Sequence, residues 1–210
     1  MRVPLVFLLA VSVLPGVIID RIAIVIGNSI IKNSDIERDI RVTDFLNGQP
    51  LNLTSSARKS SANRLIDQVF IRQEIRLGDY PRATMEEAEA ELAQLEQQRF
   101  RTAATIQESL KRYGLTESEL RQEFQWHLTV LRFIDARFRP AVLITDEDVQ
   151  KYLREHPAAV RHDNPNASID DQSKDIRNTL TGEQINKLFF SWLDEQRKDA
   201  KITYFEESLR

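Results

Sequence analysis

Near the end of the chain, "KITYF" at 201–205 alternates polar and apolar residues as a half-buried strand does. A lone strand leaves a row of unpaired backbone donors and acceptors and must find a partner. The remaining strand signals lie at the opposite end, in "RIAIVIGNSIIK". Ile22–Ile26 is β-rich, Gly27-Asn28 suits the positive φ of a tight turn, and Ile30-Ile31 makes a short return strand. The simplest closure joins the two ends of the chain in one small sheet, with everything between them folded into one body.

What lies between is helical. Ser34 with Glu37, Thr84 with Glu87, and Thr116 with Glu119 each place a hydroxyl at an N-cap and a carboxylate three residues later. Thr145 with Asp148 is a weaker copy. With the 3.6-residue spacing of apolar positions, these signals predict helices over 34–45, 55–78, 84–100, 102–113, 116–139, 145–155 and 169–200. The expected stripe of the second is Leu65, Ile66, Val69 and Phe70. That of the fifth is Leu120, Phe124, Leu128, Leu131, Ile134 and Phe138. "MEEAEAELAQLEQQRF" is thin in apolar residues and is expected on the surface or as an arm, with Leu92 and Leu95 as anchors. The last helix carries Ile169, Ile176, Leu180, Ile185, Leu188, Phe189, Trp192 and Leu193, with a bend expected near Gly182.

The opening "MRVPLVFLLAVSVLPG" has one Arg, an apolar run from Val3 to Leu14, then Pro15-Gly16. It is too short to span a bilayer, which needs about 20 apolar residues. It looks like a secretory signal over 1–17, although no Ala-x-Ala site follows. An uncleaved anchor or a buried first strand are the alternatives. The expected location is therefore the periplasm, without stable membrane insertion after cleavage. A formal net charge of -3 gives no reason to expect a nucleic-acid partner. The absence of cysteine removes disulfides, thiolate nucleophiles and Cys-ligated zinc.

The stretch "EHPAAVRHDNPNAS" (155–168) shows no period. His156, His162 and Asp163 fit no common zinc spacing, so no metal is expected there. Pro165 takes the second ligand position of an EF-hand reading of "DNPNASIDD". No nucleophile elbow and no Gly-rich phosphate loop occurs, and His127 lies beside an apolar stripe. No catalytic residue and no cofactor is predicted.

Four segments, in order, carry a resemblance. "IDRIAIVIGNSIIKNSDIERDI", "NRLIDQVFIRQEIRLGDY", "ITDEDVQKYLREHP" and "IRNTLTGEQINKLFFSWLDEQRKDAKITYF" resemble the chaperone domain of SurA-type periplasmic chaperones and PpiC/parvulin-type isomerases. The resemblance implies a mainly α fold: a multi-helix, SurA N-terminal-like domain over 18–155 plus 169–210, with a small sheet formed by the N-terminal hairpin and the C-terminal strand. In that family a whole parvulin domain stands between the third and fourth segments. Here 156–168 stands in its place, a connector of about a dozen residues that reaches about 40 Å at most. The implied function is a holdase for unfolded polypeptides, outer-membrane protein precursors among them, without isomerase activity. A module docking one folded partner and a residual prolyl isomerase are the rival readings.

A holdase needs exposed apolar groups in a concave wall with a polar rim. The candidate peptide-binding residues are Phe45, Leu46, Leu51 and Leu53 around the first loop, and Tyr113, Trp126 and Phe133. The competing reading of each is core. Leu51 and Leu53, in a Gly-Gln-Pro loop, are the most expected to be exposed. Association of two copies stays open at this level.

Overall fold

The computed structural model describes residues 20–100, 103–156 and 169–209. The signal-like segment 1–17 lies outside them, as do His162, Asp163 and most of the connector.

The first and last described strands meet. β1 (Ile22–Ile26) is the middle strand of a three-stranded sheet, between β2 (Ser29–Lys32) and β3 (Ile202–Tyr204). Both pairings are antiparallel, and β3 sets Ile24 opposite Tyr204, Val25 opposite Thr203 and Ile26 opposite Ile202. The Phe205 N–H extends the ladder to the Ala23 carbonyl at 2.9 Å. In the β1–β2 turn only Gly27 takes positive φ, at 53°. Asn28 keeps a negative φ, the sign pattern of a type II′ turn with Gly first.

Between the strands run α1 (Asn33–Asn47), α2 (Ser55–Leu77), α3 (Met85–Arg99), α4 (Ala103–Tyr113), α5 (Glu117–Phe138), α6 (Asp146–Glu155) and α7 (Ile169–Asp199). The fold is thus mainly α with a small antiparallel sheet, and the helix bounds follow the capping signals. At Thr84, Thr116 and Thr145 each side chain accepts from the backbone N–H three residues on, and Glu87, Glu119 and Asp148 return the bond. The Ser34/Glu37 box does not form. Asp20 holds Ser34 instead, accepting from both its N–H and its hydroxyl. The helix therefore begins at Asn33, with Asp35 accepting from the Lys32 N–H at 2.9 Å. Glu37 is freed to pair with Arg58 at 2.7 Å. α1 closes on Gly48 at φ 65°, whose N–H reaches the Phe45 carbonyl while that of Gln49 reaches Asp44.

Two apolar clusters form. The larger joins the sheet (Ile24, Ile26, Ile31) to α1, α2, the end of α5 and α7, with Phe133, Phe138, Phe189 and Trp192 as its aromatic centre. The smaller gathers Val42, Phe45, Leu92, Ile106, Leu110, Leu115 and Leu120. α5 serves both, and its buried face turns along its length. Leu120 sits in the small cluster and Phe133 in the large one, while Leu131, expected on the stripe, is 55% exposed.

α3 is no free arm. Ala88 and Leu92 are buried, and α3 packs along α5. The segment before it is tied to α5: Thr129 Oγ1 accepts from Ala83 N–H at 3.1 Å, and Arg132 donates to the Arg82 carbonyl at 2.9 Å and pairs with Glu87. A helix thin in apolar residues can pack this way because a small Ala88 permits close approach and polar ties add to it. α7 continues as one helix through Gly182, which faces open space. α6 packs on α7, with Arg177 paired to Asp146 and donating to the Ile144 carbonyl at 3.0 Å.

Candidate functional site

An open groove of about 910 Å³ runs between α1, α2 and α5, with β2 along one side. Helical periodicity builds each wall. α2 turns Leu65, Gln68, Val69, Arg72, Ile75 and Arg76 toward it; α1 turns Asp35, Arg38, Asp39 and Val42; α5 turns Gln122, Glu123, Gln125, Trp126 and Thr129. The groove follows the seam between the two clusters. Ile31 and Ile75 of its buried lining belong to the larger, Val42 to the smaller. Leu65, Val69 and Trp126 are half-buried, and Ile30 of β2 is exposed at the edge. Arg38 crosses from α1 to α5, donating to Gln122 Oε1 at 3.3 Å and pairing with Glu119 at 3.4 Å.

The charges here are partly desolvated. The Arg72 guanidinium stands 3.7 Å from the centroid of the Trp126 ring, a cation–π stack that holds the indole in place. Arg72 is solvent-exposed at one side, and where its guanidinium lies against the wall desolvation lowers its basicity, Glu123 opposing that shift. Burial raises Glu123 above the usual carboxylate range, and Asp39 adds to it; His127, Arg72 and Arg38 pull the other way. Asp39 is itself paired with Arg64.

The structure sorts the residues expected from the sequence. Trp126 lines the groove. Phe45 and Phe133 are core, at 2% and 0% exposure, which corrects the reading of both as binding residues. The ring of Phe45 stacks with Phe100 and meets Tyr113 edge-on at 5.6 Å. That of Phe133 meets Tyr80 edge-on at 4.9 Å, beneath Trp192. Leu46 and Tyr113 are half-buried on the smaller cluster. Leu51 and Leu53 are exposed, at 41% and 37%, on a loop that does not line the groove. That loop is fixed by Asn52 N–H to Asp44 at 2.8 Å and the Tyr113 hydroxyl to the Gln49 carbonyl at 2.6 Å.

Sequence reasoning missed Leu65, Val69, Arg72 and Glu123 as wall residues. One signal was present. The stripe Leu65, Ile66, Val69, Phe70 is two rows wide, and the two rows part company: Ile66 and Phe70 are buried in the core, Leu65 and Val69 face the groove.

A smaller cavity of about 370 Å³ lies between α6 and the start of α7, around the Arg177–Asp146 pair. His156 stacks on Tyr152 at 4.3 Å at the end of α6. No described helix is long and apolar enough to cross a membrane. No family model matches the chain, and no curated protein matches it in sequence.

Proposed function

We propose that this chain is a periplasmic holdase-type chaperone module that shields apolar segments of unfolded polypeptides, outer-membrane protein precursors among them, and has no isomerase activity. The observation that carries the reading is the groove. It is open, and Leu65, Val69, Trp126 and Ile30 share its lining with Gln68, Gln122 and Gln125. Side-chain amides donate and accept, so they suit backbone recognition in many sequences. An edge strand alongside offers further backbone groups to an extended segment. Half-buried aliphatic and aromatic surface supplies modest, sequence-tolerant affinity, and holding then works by mass action, with no nucleotide needed for release.

Three further observations support it. The sheet joins head and tail as the SurA-type resemblance implies. α6 and α7 pack directly on one another where that family carries a parvulin domain. The signal-like segment 1–17 supports the compartment.

The test is suppression of aggregation of a denatured outer-membrane protein on dilution. Suppression is expected at stoichiometric excess and should weaken in Trp126→Ala. No suppression at several-fold excess would shift the reading to a module docking one folded partner, which the fixed loop displaying Leu51 and Leu53 would favour. A rate above background on an Xaa-Pro peptide would overturn the absence of isomerase activity.

A further inference from the structure

The groove is unevenly charged. Asp39 is engaged by Arg64, Asp35 by the Lys32 N–H, and Arg38 by Glu119 and Gln122. Toward Ala83 the lining holds Arg72, Arg76 and Arg82, and among the described residues none of these three guanidinium groups forms a salt bridge, Glu123 acting on Arg72 only from a distance. Of the described carboxylates lining the groove, Asp35 and Asp39 are engaged as above, and Glu123, close to both Asp39 and Arg72, has its charged form disfavoured by burial. Arg72 and Arg76 are one helical turn apart on one face of α2, and the stack on Trp126 fixes the first of them beside an apolar wall. Most arginines elsewhere on α2 and α5 are paired: Arg58, Arg64, Arg121, Arg132 and Arg137 all have carboxylate partners.

We infer that the occupant of the groove is an extended segment in which apolar residues alternate with acidic side chains. The carboxylates meet Arg72, Arg76 and Arg82 while the apolar residues lie on Leu65, Val69 and Trp126. Guanidinium groups bind carboxylates in forked pairs, more strongly beside low-dielectric walls. The donors are side chains from α2 and from the α2–α3 connection rather than a ring of backbone N–H groups, so they select acidic side chains along a strand rather than a chain end. This deepens the holdase reading and rests on the groove being its binding surface.

The test is fluorescence anisotropy with labelled, C-terminally amidated peptides that alternate Leu and Phe with Glu, with Gln or with Lys. The full chain should bind the Glu peptide about tenfold more tightly than the Gln peptide and the Lys peptide least. The margin should shrink as NaCl rises from about 0.05 M to about 0.5 M. In the combined variant Arg72→Gln, Arg76→Gln, Arg82→Gln the Glu and Gln peptides should bind equally. Arg76→Gln with Arg82→Gln, which touches no stacking contact, should lose most of the margin and serves if the triple variant does not fold. Equal binding of the Glu and Gln peptides to the unaltered chain would overturn the acidic preference and leave the holdase reading standing. So would a preference that survives both variants. A Gln peptide with a free C-terminal carboxylate that gained as much as the Glu peptide would assign the site to chain ends and overturn the inference. Binding of none of the peptides would remove the groove as a polypeptide site and both readings with it.

Discussion

Phe133 and Leu131 sit two residues apart on α5, and the periodic stripe and the tertiary structure assign them opposite environments. Phe133 is fully buried, with Tyr80 edge-on at 4.9 Å, Trp192 at 5.7 Å and Phe138 at 6.1 Å between ring centroids. Truncating a buried Phe to Ala costs about 3–5 kcal/mol. Aromatic pairs add about 0.5–1.5 kcal/mol each beyond area. Two edge-to-face partners therefore place Phe133→Ala toward the top of the range, about 4–5 kcal/mol. Leu131 is 55% exposed, so Leu131→Ala should stay within about 0.5 kcal/mol of the parent. For a chain of this length the Phe133 variant should melt roughly 8–20 °C lower, at about 2–4 °C per kcal/mol. Urea unfolding followed by circular dichroism, with an unchanged m-value, reads both differences. Phe133→Leu, which keeps more of the volume but loses both edge-to-face contacts, should cost less than Phe133→Ala, about 1–3 kcal/mol. A Phe133→Ala cost below about 1 kcal/mol, together with a Leu131→Ala cost above 2 kcal/mol, would show that α5 buries its periodic stripe and that the described packing is wrong.

Thr84→Ala and Thr116→Ala each remove a reciprocal cap and should cost about 1 kcal/mol by urea unfolding, whereas Ser34→Ala should leave the α1 start to the Asp35–Lys32 bond and act through the lost contact with Asp20. Truncation after Ala200 removes β3 and the buried Leu209, so hydrogen exchange at β1 should accelerate sharply; unchanged protection there would contradict the closing of the sheet. Glu123 has a folded-state pKa raised by burial, so its ionisation opposes folding. The penalty is absent below the unfolded carboxylate value, grows as pH rises through the window up to the raised folded value, and is complete above it. Glu123→Gln should therefore stabilise the protein at neutral pH and lose that advantage at acid pH; a gain that grows on acidification would refute the sign.

The helices were legible because their start signals are local. A threonine at a helix start and a carboxylate three residues later can satisfy each other without help from the rest of the fold, and the boxes read at Thr84, Thr116 and Thr145 formed. The serine at 34 failed because Asp20, which is remote in sequence, reached it first. The sheet was legible for a different reason. A strand has obligatory partners, and only two regions carried strand signals, so elimination paired them.

The groove was not legible, apart from Trp126. Whether an apolar side chain is wall or core depends on which helices stand opposite it, and periodicity is silent on that. α2 shows the limit most clearly: Leu65 and Ile66 are adjacent in sequence and equally apolar, yet one faces the groove and the other is fully buried. The chain's own pattern determined where helices and strands begin and that its two ends must meet, since those outcomes are set by backbone hydrogen bonds within reach of local signals. Only the tertiary structure decided that two clusters would form rather than one, that α5 would turn between them, and that a charged, half-apolar groove would open along their seam. Those outcomes depend on contacts between residues far apart in sequence.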